Sequence, residues 1–213
     1  EHENGYLFMA TTKGVVKKTS IDKYANIRTN GLISITLDEG DELRYVRRTS
    51  GKDELILSTS AGQAVRFDEN EIRSMGRSAR GVRGVRLRPN DLVVGMDVIS
   101  NDSKKVLVIS KNGYGKMTNI NLFAAHKRGG VGIKAATVTA KTGPIITART
   151  INNDVEELLI ISCKGQTIRV GINDVPSLGR TTQGVRIMRL NDGDAVASVG
   201  ILMKEDAEIS DKD

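Results

Sequence analysis

The chain has 213 residues, 38% hydrophobic and only 3% aromatic with no Trp, so a core must be built from Val, Ile, Leu and Ala in many short elements. The formal net charge is +6, but the last ten residues carry −3 and everything before them +9, which points the body towards a polyanion partner and leaves an acidic, solvated tail. No apolar run approaches the ~18 residues of a membrane span, and the lone Cys163 excludes an intrachain disulfide, which fits a reducing cytoplasm.

Along the chain, the first predicted element is a hairpin, "YLFMATTKGVVKKT" from Tyr6, turning at Gly14. A short strand pattern, "NGLISITL" with Gly31, follows, and then a turn and strand, "DEGDELRYVRRT" from Asp38. The same three patterns return. The second set is "ELILSTSAGQAVRF" with Gly62, "RGVRGVRL" with Gly81, and "RPNDLVVGMDVI" from Arg88. The third is "KVLVISKNGYGKMT" with Gly113, "GGVGIKAA" aligned on Gly130, and "KTGPIITARTI" from Lys141. The fourth is "ELLIISCKGQTIRV" with Gly165, "QGVRIMRL" with Gly184, and "NDGDAVASVGIL" from Asn191. The turn glycines are spaced 48, 51 and 52 residues apart. Cys163 reads as a small core residue in the last of these apolar runs.

The chain therefore reads as four repeats, about 1–52, 53–103, 104–154 and 155–203, with 204–213 as an acidic, disordered tail. Each repeat holds about four short strands, and no stretch has a convincing helical period. Four-stranded units of this length are the mark of all-β, propeller-like arrays, in which stacking buries faces that one blade cannot bury alone.

Cations recur at related positions in the repeats. After the turn glycines come Lys17 and Lys18, then Arg66, Lys116 and Arg169. Around the second pattern come Arg28, then Arg77, Arg80, Arg83 and Arg86, then Lys127, Arg128 and Lys134, then Arg180, Arg186 and Arg189. Units arranged about an axis would place such cations on one rim. A curved positive track suits double-stranded DNA held by its phosphates, without sequence readout. The scarcity of aromatics argues against single-strand or RNA binding by base stacking. A protein-interaction scaffold is the alternative, and would show scattered cations and an exposed apolar patch.

Enzyme chemistry has no support. There is no P-loop pattern, and two histidines and one cysteine assemble no metal site. Convergent acid, base and nucleophile sets are also absent.

"VKKT" after a glycine turn, "GDEL", "VRFDENEIRSMGRSARGVRGVRL", "NGYGKMT" and "GRTTQGV" resemble the C-terminal domain of DNA gyrase A, over nearly the whole chain to about Leu202. The resemblance implies a β-pinwheel, here four of a usual six blades, that wraps double-stranded DNA on its basic outer edge. It implies a fragment of an ATP-driven, negatively supercoiling type II topoisomerase of the bacterial cytoplasm, associated with the nucleoid. The partners implied are DNA, the rest of gyrase A, and gyrase B, with no membrane. ATP and Mg would act elsewhere in the parent, leaving this fragment without cofactor or catalytic residue. The family's hallmark box is matched in part by "HKRGGVG": Lys127, Arg128, Gly129, Gly130 and Gly132 agree, while His126 replaces a glutamine and Val131 a basic residue. The shorter pinwheel of the topoisomerase IV counterpart of gyrase A is the close alternative.

Overall fold

A computed structural model describes residues 5–26 and 29–204. Among these, the regular elements are fifteen β-strands and single 3-10 turns. The first repeat contributes β1 (Tyr6–Thr11), β2 (Val15–Ser20) and β3 (Leu43–Thr49). The second contributes β4 (Glu54–Thr59), β5 (Gln63–Asp68), the two-residue β6 (Val82–Arg83) and β7 (Val93–Ile99). In the third are β8 (Lys105–Ser110), β9 (Tyr114–Asn119), β10 (Ile133–Lys134) and β11 (Ile145–Ile151); in the fourth, β12 (Val155–Ser162), β13 (Thr167–Gly171), β14 (Val185–Arg186) and β15 (Val196–Met203).

Sheets and sequence repeats do not coincide. The sheet orders are β3-β1-β2-β6, β10-β5-β4-β7, β11-β8-β9-β14 and β13-β12-β15. Each of the first three sheets takes its outer strand from the following repeat. The hairpins are local: β1 runs antiparallel to β2 with Phe8 opposite Lys18, and β4 to β5 with Leu55 opposite Phe67. Left-handed turn residues permit such tight reversals. In the turn after the second pattern, Asn90 with φ 60° takes the place that Gly40, Gly143 and Gly193 hold in the other repeats, as asparagine can.

Strands β1, β4 and β8 are buried on both faces. The burial of "ELILST" in β4 is near-continuous rather than alternating, because residues pack on either side of the sheet. Two compact units result. One takes residues up to Thr59, Ala64–Ser100 and Ala124–Ile133; the other takes Ser60–Gln63, Asn101–Phe123 and Lys134 onwards. The first is centred on Phe8, Leu55, Leu57, Phe67 and Met96, with the two phenyl rings 6.2 Å apart. The second is centred on Leu107, Ile109, Leu158, Ile160 and Met188. Truncating a buried phenylalanine in such a core costs about 3–5 kcal/mol.

A buried carboxylate stitches the first unit. Glu69 is fully buried. It accepts hydrogen bonds from Thr49 Oγ1 (2.8 Å) and from the backbone N–H groups of Gly51 (2.7 Å) and Asp53 (2.8 Å), and faces Lys18 Nζ at 3.4 Å. Four partners supply what the carboxylate loses in leaving water.

Cys163 departs from its expected place: it is exposed. The apolar run ends with β12 at Ser162, so Cys163 opens the turn instead of filling the core.

Candidate nucleic-acid interface

The cations singled out by repetition divide into three groups. The first is buried. Lys17 and Lys116 are inaccessible and Lys18 nearly so. Lys17 Nζ donates to the carbonyls of Ser34 and Arg77, and Lys116 Nζ to those of Gly179 (2.6 Å) and Arg180 (2.7 Å). Burial lowers both ammonium groups from 10.5 to about 8. Lys18 serves Glu69 and lies 4.8 Å over the Tyr6 ring. Lys17 and Lys116 therefore pin the loops that carry Arg77 and Arg180, and none of the three lysines presents charge to a partner. Their expected place on a surface track is corrected on this ground.

The second group is paired. Arg66 binds Glu54, with Nε–Oε2 at 3.0 Å, and Arg169 binds Glu157, with Nε–Oε2 at 2.6 Å. In both hairpins the acid stands 12 residues before the arginine, a spacing legible in the sequence. Arg80 makes a two-pronged contact with Asp38, which raises the guanidinium pKa and holds the carboxyl below its usual value.

The third group faces solvent. Arg83, Arg86, Lys127, Lys134, Arg186 and Arg189 are exposed, and Arg77 is half-buried while its carbonyl holds Lys17. Arg128 and Arg180 turn back on the backbone. Arg128 donates to the carbonyls of Glu71 (3.2 Å) and Arg83 (2.9 Å), and Arg180 to that of Lys134 (2.9 Å). Arg28 lies outside the described residues, as does the acidic segment 205–213.

In the first unit, a cleft of about 680 Å³ gathers Lys13, Arg80, Arg83 and Arg86 around Gly81, with Asp38 as its single acid. In the second, a cleft of about 370 Å³ gathers Lys141, Arg186 and Arg189 about Tyr114, with Asp192 and Asp194 opposing them. Arg186 donates to Tyr114 Oη at 3.1 Å, and that bond lowers the phenol pKa. Lys13 and Lys141 were missed by the repeat pattern. Lys13 had a signal: it directly precedes the turn glycine, so it projects from the hairpin tip.

The box-like segment is placed by its glycines. Gly129 donates its N–H to the carbonyl of Gly84 at 2.7 Å, and Arg86 donates its N–H to that of Gly130 at 2.8 Å. His126 and Lys127 lie beside them at the surface. Gly132, not Gly130, is the counterpart of Gly81 and Gly184. All three have a left-handed φ near +80 to +100°, and each would drive a Cβ to within 2.5 Å of a backbone carbonyl oxygen. The corrected spacings are 50, 51 and 52 residues, and the second residue after each of the last three glycines is an exposed cation: Arg83, Lys134, Arg186.

Among the described residues, no group of three or more His, Cys, Asp or Glu could hold a metal ion, and no helix is long and apolar enough to cross a membrane.

Comparison with known proteins gives a consistent result. A family model described as the DNA gyrase C-terminal domain, beta-propeller, matches residues 5–50, 53–100, 104–152 and 156–202. The DNA gyrase A protein of a Staphylococcus epidermidis strain is 41% identical over 207 residues, covering 97% of this chain and 23% of that protein. Its Staphylococcus aureus equivalent is 42% identical over 209 residues, covering 98% and 23%. The chain thus spans about a quarter of these relatives. Among solved structures, a DNA gyrase A C-terminal domain superposes with a TM-score of 0.83 at 24% identity, covering 95% of this chain and 68% of its own. The C-terminal domain of a DNA topoisomerase IV gives 0.90 at 25%, covering 99% and 68%.

Proposed function

Because this chain belongs to the DNA gyrase C-terminal domain family, we propose that it binds double-stranded DNA through phosphates, without reading sequence, and bends it along its surface. The observation that carries this reading is the recurrence of an exposed cation, Arg83, Lys134 and Arg186, at one strand position in three successive repeats. Two of them stand beside a further cation, Arg83 near Arg86 and Arg186 near Arg189. Repetition at a fixed site of a repeating fold is what a polymer of evenly spaced phosphates can engage.

The set proposed to touch DNA is Arg77, Arg80, Arg83, Arg86, Lys127, Lys134, Arg186 and Arg189. In this reading the chain is the DNA-bending part of gyrase A. It works beside the rest of that protein and beside gyrase B in the bacterial cytoplasm. ATP hydrolysis and strand passage belong to those other parts, and the fragment contributes geometry without chemistry. The close fit to a topoisomerase IV domain supports a second reading, in which the same surface serves that enzyme.

Affinity measured at several salt concentrations on duplexes of about 20 and about 150 bp, the latter one persistence length, tests the bending. A tighter affinity per site and a steeper salt slope on the long duplex are expected. Equal affinity per site and equal slope would show local contact only.

A further inference from the structure

Arg128 and Arg180, whose guanidinium groups turn back on the backbone, do so in the same way. Each stands four residues before the left-handed glycine of its repeat, Gly132 or Gly184. Each sends Nη1 to one carbonyl of the preceding repeat. Arg128 donates to Arg83 O and Arg180 to Lys134 O, both at 2.9 Å. Those carbonyls belong to the cations that stand two residues after Gly81 and Gly132. The first pair lies wholly in one compact unit and the second wholly in the other, so the same contact is built twice.

Each arginine is itself held at its main chain, by different means. Buried Lys116 donates from Nζ to the carbonyls of Gly179 (2.6 Å) and Arg180 (2.7 Å), and the N–H of Leu178 reaches Met117 O at 2.8 Å. At the other junction Val65 stands where Lys116 does, three residues after the turn glycine, and has nothing to donate. There Glu71 takes over. Its carboxylate accepts the N–H of Arg128 at 2.9 Å, and its carbonyl accepts Nε at 3.2 Å. Two unlike anchors thus deliver one guanidinium contact.

The strands that carry the cations need such support. β6 and β10 are two residues long, and so short a ladder has few main-chain bonds to fix its direction. Bonds to the loop of the next repeat add to them. In one unit Arg86 N–H meets Gly130 O (2.8 Å) and Gly129 N–H meets Gly84 O (2.7 Å). In the other, Thr137 N–H meets Thr182 O (3.0 Å) and Thr137 Oγ1 donates to Thr181 O. The arginine completes this set at the residue that bears the exposed charge. Its guanidinium binds carbonyls, so it stays charged beside the cation it holds, unlike Arg66, Arg80 and Arg169, whose partners are acids.

We propose that Arg128 and Arg180 are positioning residues for DNA: each fixes the strand that presents Arg83 or Lys134, and so sets where that cation meets a phosphate. The inference rests on the reading of Arg83 and Lys134 as phosphate contacts. It assigns the effect of the two arginines to the guanidinium fork, clamped between an anchored main chain and a carbonyl, and not to their charge. Lysine is a point charge on a flexible stem and does not reproduce that fork. A role through charge alone predicts that lysine at either position serves as well as arginine. A role through the neighbouring cation predicts that it does not, and that the arginine ceases to matter once that cation is gone.

Fluorescence anisotropy of the 213-residue chain on a duplex of about 150 bp, titrated with salt, tests this in both units. Lys134→Gln should lower the slope of log affinity against log salt by about 0.9. Arg180→Lys, which keeps the net charge, should lower it by about 0.5 to 0.9. The two combined should lose no more than Lys134→Gln alone, because the arginine acts through the lysine. Arg83→Gln, Arg128→Lys and their combination should behave alike. Thermal unfolding of each variant, read alongside, separates a loss of stability from a loss of slope. A parental slope in either folded arginine variant, or losses that add in a combined variant, would overturn the proposal. A parental slope in Lys134→Gln and Arg83→Gln would instead strike the phosphate contacts themselves, and the positioning role with them. If Arg180→Lys fails to fold, the Arg128 set in the other unit decides the question.

Discussion

Neutralising Arg83 and Arg86 together should flatten the salt dependence of DNA binding by a calculable amount. Both line the cleft in which Asp38 is the only acid and is engaged by Arg80. Each is therefore counted as one phosphate contact. At about 0.9 of slope per contact, Arg83→Gln with Arg86→Gln removes about 1.8 from the slope of log affinity against log salt. Between 50 and 200 mM salt the parent should then lose about tenfold more affinity than the variant. Arg80→Gln alone should remove less than 0.9, because its charge is partly committed to Asp38. Fluorescence anisotropy on a long duplex, titrated with salt, measures both. A double variant with the parental slope would refute the assignment of these arginines as phosphate ligands. Equal loss from Arg80 would refute the ranking by pairing.

Other consequences follow from individual contacts. Asp38→Asn should release Arg80 and tighten DNA binding, steepening the salt slope by up to about 0.9; the same titration reads it. Gly165→Ala should cost only the left-handed strain of a β-carbon, about 1–2 kcal/mol, since the space is open. Gly113→Ala meets Met188 O at 2.3 Å and should cost well above ~3 kcal/mol, because the donated strand must move; urea unfolding of the pair compares them. Lys116 has a pKa of about 8 in the folded chain against 10.5 for the free side chain, so the unfolded chain binds its proton more tightly. That penalty is complete below pH 8 and is relieved as pH rises from about 8 to 10.5. The stability of the parent relative to Lys116→Met should climb across this window; a constant difference would show that burial does not shift the ammonium.

The hairpins were legible because each is local: an apolar run, a glycine, a second run. The repeats were legible because the turns recur at nearly constant spacing. Strand exchange was not. "RGVRGVRL" announces a strand, but nothing in it says that Val82 and Arg83 pair with β2, more than sixty residues earlier, rather than with β5. The offset that made Gly130 the third counterpart had the same root. Two adjacent glycines and a third two residues on are indistinguishable until the acceptor carbonyl at Ala64 selects Gly132.

The charges show a sharper limit. Lys17 and Lys18 follow a turn glycine and are expected on a positive rim, yet both are buried, because one face meets the loop carbonyls and the other meets Glu69. Sequence gives the sign of a residue, and only packing shows whether that charge is answered by carbonyls, by a carboxylate or by solvent. Arg66 and Arg169 could have been set apart from the sequence. Hairpin geometry brings an acid twelve residues upstream into their reach.

The exchange of strands also sets a timetable for biosynthesis. A chain leaves the ribosome from its N-terminus, yet the first sheet lacks its outer strand until Val82 and Arg83 have emerged. The third sheet waits in the same way for Val185 and Arg186. At ~5–20 residues per second, each sheet spends seconds as a three-stranded intermediate with an unpaired edge before its partner arrives. Pairings this distant in sequence close slowly. The nascent chain therefore always trails one open edge behind the exit tunnel. A pause in translation just after a repeat's third strand would lengthen the time in which neighbouring nascent chains could exchange strands.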